Sequence, residues 1–387
     1  MRIAVAANSG WYLYNFRRSL MLALRDAGHR PVAISPHDEY IERLVQDGID
    51  FIDFELDASG TNPFNEFTTV RRLRKLLVGG KFDAAFTYTP KANIYFGLAA
   101  KGMGLQHVPN VSGLGRVFIA RSWLTPLVMR LYRRAFASAR VVIFQNADDE
   151  REFVDNGLVA AGQTARVPGS GVDLIAFAPA PYAAADGNEA AGLVFLFIGR
   201  ILRDKGVLEL VQAARLVKAQ HPGIRFRMLG SVGAQNPTAV PQADVDSWVA
   251  EGLIEYLGST DDVRPAIAAA DCVVLPSYRE GVPRVLLEAA AMARPCIATD
   301  VPGCRDAVDR DSTGLFCDVR SATSLAAALL RFIAMPQARR RELGRLGRTK
   351  VEREFDERLV LRTYVNLAVQ IDGEKSAARK GSLGRAA

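Results

Sequence analysis

Cys272-Val273-Val274-Leu275-Pro276-Ser277-Tyr278-Arg279-Glu280-Gly281-Val282-Pro283-Arg284-Val285-Leu286-Leu287-Glu288 reads as a strand running into a helix. Residues 272–275 form the apolar strand, and Pro276 with Ser277 ends it. The helix spans 282–292, with Pro283 near its first turn, where a missing N–H costs nothing. Glu280 then sits in the strand-to-helix crevice and Glu288 roughly two turns into the helix. Eight helical residues rise about 12 Å, a reach that suits two carboxylates holding different hydroxyl groups of one extended ligand. The N–H groups and positive dipole end between them suit a phosphate. Two solvated glutamates are the plainer reading of such a pair taken alone.

A second stretch upstream tilts the balance. Phe195-Leu196-Phe197-Ile198-Gly199-Arg200 is an apolar strand ending at a glycine and a cation, and Asp204-Lys205-Gly206 follows. Arginine offers a forked donor and lysine a point charge, an arrangement that suits a diphosphate.

Around these stretches strands and helices alternate along the chain. Strands are predicted at 3–7, 32–35, within 48–54, and at 84–87, 108–111 and 141–144. Helices are predicted at 16–27, 64–77 and 94–101. After 176–191, whose Pro/Ala-rich start lacks pattern and reads as a linker, strands resume at 194–198, 225–229, 254–257, 272–275 and 296–299. Short apolar strands between amphipathic helices mark a parallel sheet covered on both faces. The expected architecture is α/β: two doubly wound, Rossmann-like domains, 1–175 and 192–356, with their ligand in the cleft at the carboxyl ends of both sheets. A helix over 357–372 follows, and 373–387 reads as a disordered tail.

The bulk numbers exclude several classes. The chain has 387 residues, ample for two cores, and its four cysteines lack C-x-x-C spacing, which fits a reduced cytosolic protein. No apolar run approaches the ~20 residues that span a bilayer, and the N-terminus reads as a first strand, not a signal peptide. The net charge of +7 is concentrated: residues 84–147 hold no acidic residue and eight cations, namely Lys91, Lys101, Arg116, Arg121, Arg130, Arg133, Arg134 and Arg140. Within them, 122–136 is a basic, aromatic-rich helix containing Trp123, Arg130, Arg133 and Arg134. Such a helix either rests on an anionic membrane or packs on a sheet with its arginines outward. Nucleic acid would occupy only this stretch and leave the C-terminal motifs without a purpose.

Other motifs carry less. Asn8-Ser9-Gly10 lacks the glycines of a dinucleotide fingerprint. Ser112-Gly113-Leu114-Gly115 reads first as a tight turn, and Lys91 as a solvated lysine. Asp244-Val245-Asp246 matches a metal-binding D-x-D, yet lies where aspartates cap a helix. The four histidines show no metal-ligand spacing.

Taken together, Gly199-Arg200, Lys205-Gly206, Glu280-Gly281-Val282-Pro283 and Glu288 resemble the retaining glycosyltransferases of family 4, of GT-B fold. Asn15-Phe16-Arg17, Pro36-His37-Asp38-Glu39-Tyr40, Lys91-Ala92-Asn93-Ile94-Tyr95 and Ser112-Gly113-Leu114-Gly115 resemble its bacterial branch, which extends polyprenyl-diphosphate-linked glycans for O-antigen, capsule, exopolysaccharide or glycoprotein assembly. The resemblance implies that Arg200 and Lys205 bind and stabilise the leaving diphosphate, that Glu288 holds the ribose and that Glu280 holds the transferred sugar, with Arg200, Lys205 and Glu280 as the catalytic set. Gly10, Gly199, Gly230, Leu257, Gly281, Val282 and Pro283 would complete the donor site. Phe16, Arg17, Lys91, Asn93, Gly113 and Gly115 would face the acceptor, and the 357–372 helix would cross back to the N-terminal domain. The implied substrates are a UDP-sugar, a UDP-N-acetylhexosamine first among them, and a lipid-linked saccharide. No cofactor or metal is implied, and the place of work is the cytoplasmic face of the membrane. A GDP-mannose or UDP-hexose transferase, a sugar-nucleotide epimerase of similar fold and a non-catalytic nucleotide-sugar binder are the alternatives.

Overall fold

A computed structural model describes the backbone of residues 1–56, 63–114, 125–182, 192–233 and 236–383, with side chains throughout except at 63–65 and 379–383. The chain forms two compact units, Met1–Ser170 joined by Arg358–Ala387, and Gly171–Glu357.

The first unit is built on seven parallel strands: β1 (Arg2–Ala6), β2 (Arg30–Ser35), β3 (Asp50–Asp53), β4 (Ala84–Tyr88), β5 (Gln106–Val111), β6 (Val142–Phe144) and β7 (Thr164–Arg166). Their order is β3-β2-β1-β4-β5-β6-β7. Successive residues of β1 face opposite sides, so Ala4 and Ala6 join one apolar cluster while Ile3 and Val5 join another. Helices Pro90–Ala100 and Thr125–Phe136 cover the first face with Phe96 and Phe136. Helix Gly10–Asp26 covers the second with Leu13 and Leu20. Burial on both faces is why these strands read as apolar runs without alternation.

The second unit holds β8 (Val194–Ile198), β9 (Arg225–Leu229), β10 (Glu255–Tyr256), β11 (Cys272–Leu275), β12 (Cys296–Thr299) and β13 (Gly314–Cys317), in the order β10-β9-β8-β11-β12-β13. Strand order reverses between β8 and β11, which pair in parallel through Cys272 with Phe195 and Val273 with Leu196. Ligands of open α/β sheets bind at the carboxyl ends of strands flanking such a reversal. In the first unit the corresponding reversal lies between β1 and β4.

The boundaries expected from composition need three corrections. The tail from 373 is not disordered where it is described: one helix runs Glu357–Leu383. Tertiary pairing overrides its polar composition, because Lys375 Nζ reaches Asp83 Oδ1 at 3.1 Å and Arg140 Nη2 reaches Glu374 Oε1 at 2.7 Å. The first unit ends at Ser170, not at 175. Finally, 176–182 is not a free linker. Phe177 lies in the core of the second unit, Arg294 donates to the carbonyls of Ala180 and Pro181, and Tyr182 donates to the Ala293 carbonyl at 2.9 Å. Residues 183–191, the rest of that segment, lie outside the described residues.

Candidate functional site

The site is assembled at the reversal between β8 and β11. After β8 the chain turns through Gly199, with φ +155°, to the exposed Arg200. Gly230, just past β9, packs against it so closely that an added Cβ would lie 1.9 Å from the Gly199 carbonyl oxygen. Gly230 is itself held from both sides, its N–H donating to Gly258 at 2.7 Å and its carbonyl accepting from the Tyr256 hydroxyl at 2.9 Å. A 3-10 turn, Arg203–Lys205, then leads into Gly206 at φ +72°. A Cβ on Gly206 would stand 2.0 Å from the Pro276 carbonyl oxygen. This contact sets the lysine turn against the end of β11, and the Tyr278 N–H donating to the Asp204 carbonyl at 2.9 Å seals it.

Lys205 and Glu280 meet as a result, with Nζ to Oε1 at 2.5 Å. The loop carrying Glu280 is shaped from below. Thr299 at the end of β12 donates its hydroxyl to the Ser277 carbonyl. Gly303, with φ +78°, allows an approach in which a Cβ would lie 1.8 Å from the Gly281 carbonyl oxygen. Helix Arg284–Ala291 follows, and its N-cap, Pro283, makes no side-chain capping bond. On that helix Arg284 Nε stands 2.7 Å from Glu288 Oε1. Burial raises the Glu288 carboxyl above its usual range, and the Arg284 guanidinium opposes the rise. Two carboxylates, each beside a cation, therefore flank a helix N-terminus at the strand reversal. Arg200 adds a third positive group, and no carboxylate meets its guanidinium among the described residues. This collection suits a ligand with hydroxyl groups at two points and a diphosphate between them.

Of the residues expected here, Gly199, Arg200, Lys205, Gly230, Glu280, Gly281, Val282, Pro283 and Glu288 gather within the second unit around these contacts. Leu257 lies at the end of β10, 43% exposed. Gly10 belongs to the first unit, at the start of helix Gly10–Asp26, where a Cβ would stand 2.2 Å from Asp38 Oδ1. Sequence reasoning assigned no role to Tyr278, Arg284, Thr299 and Gly303. Of these only Gly303 left a readable signal, a Pro-Gly turn just past an apolar strand.

The acceptor-side expectations fare unevenly. Arg17 and Asn93 are buried and make internal contacts within the first unit. Arg17 is 1% exposed, its guanidinium carbon 4.0 Å from the Tyr88 ring centroid, and it donates to Tyr12 and the Phe16 carbonyl. The Asn93 amide accepts from Thr87 and donates to the Asn110 carbonyl, both at 2.8 Å, tying helix Pro90–Ala100 to the sheet. Lys91 pairs with Glu66 at 3.1 Å, and Phe16 packs edge-on against Trp11. Gly113 takes φ +131°, while Gly115 and Trp123 lie outside the described residues. Arg130, Arg133 and Arg134 are exposed on helix Thr125–Phe136 beside Leu127, but Arg133 also donates to the carbonyls of Gly157 and Asn156. No described helix is long and apolar enough to cross a membrane.

Two parallel-sheet units of this kind are those of a glycosyltransferase of GT-B fold. Residues 15–169 match the family described as glycosyl transferase 4-like domain, and residues 192–335 match glycosyl transferases group 1. The chain belongs to this glycosyltransferase family and is an enzyme of it. It is 27% identical over 380 residues, 95% of this chain and 98% of the relative, to the N,N'-diacetylbacillosaminyl-diphospho-undecaprenol alpha-1,3-N-acetylgalactosaminyltransferase of Campylobacter jejuni. It is 28% identical over 271 residues, 67% of this chain and 68% of the relative, to the UDP-Gal:alpha-D-GlcNAc-diphosphoundecaprenol alpha-1,3-galactosyltransferase of Escherichia coli. Among solved structures, sucrose-phosphate synthase from Thermosynechococcus elongatus shares the fold, with a TM-score of 0.78 at 22% identity over 97% of this chain and all of that one.

Proposed function

We propose that the protein transfers an N-acetylhexosamine from a UDP-sugar, with retention of configuration, to a saccharide carried on undecaprenyl diphosphate. The observation that supports the reading most is the pairing of Lys205 with Glu280 at the strand reversal, beside the open helix end and Arg200. The near full-length likeness to the Campylobacter jejuni enzyme supports the substrate class. In this reading the sugar's anomeric C–O bond breaks and its electron pair leaves on the diphosphate, which Arg200 and Lys205 stabilise. The acceptor hydroxyl attacks from the donor's own face and passes its proton to the departing phosphate oxygen, so no protein nucleophile is needed. Glu288 accepts from the ribose hydroxyls and Glu280 from the transferred sugar. The relative named for UDP-galactose supports a UDP-hexose as the second reading. Screening UDP- and GDP-sugars for thermal stabilisation, then for nucleotide release with a polyprenyl-diphosphate disaccharide, tests both. Stabilisation by GDP-sugars alone overturns the UDP assignment.

We further infer that the enzyme works without a metal and on a membrane surface. Asp246 accepts from Gln242 at 2.8 Å on helix Gln242–Ala250, and Asp244 lies in the first turn of that helix, where an acidic residue suits the dipole. Activity is therefore expected to survive EDTA, and strong inhibition would return the D-x-D motif to the mechanism. On helix Thr125–Phe136, Arg130→Gln with Arg134→Gln should weaken co-sedimentation with anionic vesicles more than tenfold, at about 1 kcal/mol per cation. Arg133 is left in place because its carbonyl contacts brace the fold. Equal pelleting at low and high salt would sink the membrane reading.

A further inference from the structure

Both site carboxylates carry a cation, but the two cations differ in kind. Lys205 pairs with Glu280 and is one of the groups the reaction uses. Arg284 has no assigned part, yet it stands 2.7 Å from Glu288, four residues along the same helix. The Glu288 side chain is only 11% exposed and the Arg284 side chain 28%. A buried carboxyl without a cation tends to take up a proton, and as a neutral acid it donates one hydrogen bond rather than accepting two.

We propose that Arg284 is a positioning residue of the donor site, holding the Glu288 carboxylate ionised and oriented to accept both ribose hydroxyls. The inference rests on the reading of Glu288 as the ribose residue. An arginine four residues earlier on the helix stands beside the carboxylate as an ion pair. The other charged groups near this helix are engaged elsewhere. Lys205 is tied to Glu280, Lys350 to Asp309 and Glu354, and Arg348 to Glu352 and the Ala291 carbonyl. Arg340 donates to the Ile333 carbonyl, and Arg305 pairs with Asp300. The thiols of Cys296 and Cys304, on the elements packed against the helix, are pushed up by burial and stay neutral. Among the described residues Arg284 is the cation acting on the Glu288 carboxyl, and burial is the force it opposes.

Burial already lifts the carboxyl, so removing Arg284 lifts it further. Binding that needs the carboxylate is then lost as pH falls through the raised value and returns above it. The test is calorimetric binding of UDP to the full chain at about pH 6 and about pH 8, for wild type, Arg284→Met, Arg284→Lys and Glu288→Gln. Taking each Kd relative to wild type at the same pH cancels the titration of the nucleotide itself. Arg284→Met should weaken UDP measurably more at the lower pH than at the higher, because burial lifts the carboxyl once its cation is gone. Arg284→Lys should recover most of that difference, and Glu288→Gln should bind weakly by the same factor at both values. An arginine with a merely structural role would weaken binding equally at every pH, and that result overturns the proposal. Should Arg284→Met fail to fold, Arg284→Gln carries the same comparison. If Glu288→Gln binds UDP as wild type does, the ribose reading itself is wrong, a failure separate from a flat Arg284 profile.

Discussion

Lys205→Ala is expected to lower kcat by about two to three orders of magnitude, the loss that follows removal of one preorganised donor from a developing oxyanion. The lysine ends a 3-10 turn that Gly206 and the Tyr278 N–H press against β11, so its ammonium is positioned before any ligand arrives. Charge grows on the diphosphate as the sugar departs, so the contact strengthens toward the transition state, and the deficit falls on kcat more than on KM. Lys205→Arg should not restore the rate, because a planar fork cannot replace a compact ammonium 2.5 Å from Glu280. Single-turnover rates at saturating donor, with melting temperature as a folding control, measure the effect. Turnover within a few-fold of wild type would remove Lys205 from leaving-group stabilisation.

Gly303→Ala should be nearly as damaging, although Gly303 touches no reacting atom. Its φ of +78° disfavours any side chain, and a Cβ there would meet the Gly281 carbonyl oxygen at 1.8 Å and that of Glu280 at 2.8 Å. Backbone cannot rotate away as a side chain can, so the Glu280 loop must shift. A displacement of about 1 Å at a positioning group costs on the order of a hundredfold in rate. Gly252→Ala is the matched control. Gly252 also has positive φ, +68°, but a Cβ there would meet nothing within 4 Å, so only the local strain of about 1 kcal/mol remains. Gly303→Ala should lose activity far beyond Gly252→Ala at comparable melting temperature. Equal activities would mean that the loop absorbs the shift.

Much of this was legible in the sequence because the chemistry sits where strands end. Gly199-Arg200 and Pro276-Ser277 each interrupt an apolar run, so the residues after them fall at the carboxyl edge of a parallel sheet by topology alone. Two edge strands escaped. β7, Thr164–Arg166, is only half buried, and β13, Gly314–Cys317, opens with a glycine whose Cβ would strike the Cys296 carbonyl oxygen. β7 lacks the apolar run of a central strand, and the opening glycine cuts that of β13 to three residues. Helix Glu39–Gln46 was also missed, although Asp38 caps it through the Tyr40 N–H, because eight residues are too few to establish a period. Arg17 and Asn93 show a different difficulty. A polar residue at a strand end or an early helical turn looks the same in sequence whether it faces a ligand or ties a helix to a sheet. Only burial separates the two. Arg284 and Tyr278 were in plain view but carried no motif. Tyr278 donates to Glu209 at 2.8 Å, and burial together with that bond pushes its hydroxyl up to about 12, a tertiary contact no spacing announces.

The C-terminal helix carries a consequence for biosynthesis. Tyr364, Ala368 and Ile371 cover the face of the first sheet that holds Ile3, Val5 and Phe86, and the Tyr364 hydroxyl accepts from Asn110 at 2.7 Å. An early strand is therefore covered by a helix made more than 350 residues later. On the ribosome the continuous unit Gly171–Glu357 has all its strands before the sheet begun at Arg2 receives its final helix. Until then one apolar face of that earlier sheet stays partly open to chaperones or to a neighbouring nascent chain. A stop codon near residue 357 would leave the second unit whole and the first unit permanently unfinished.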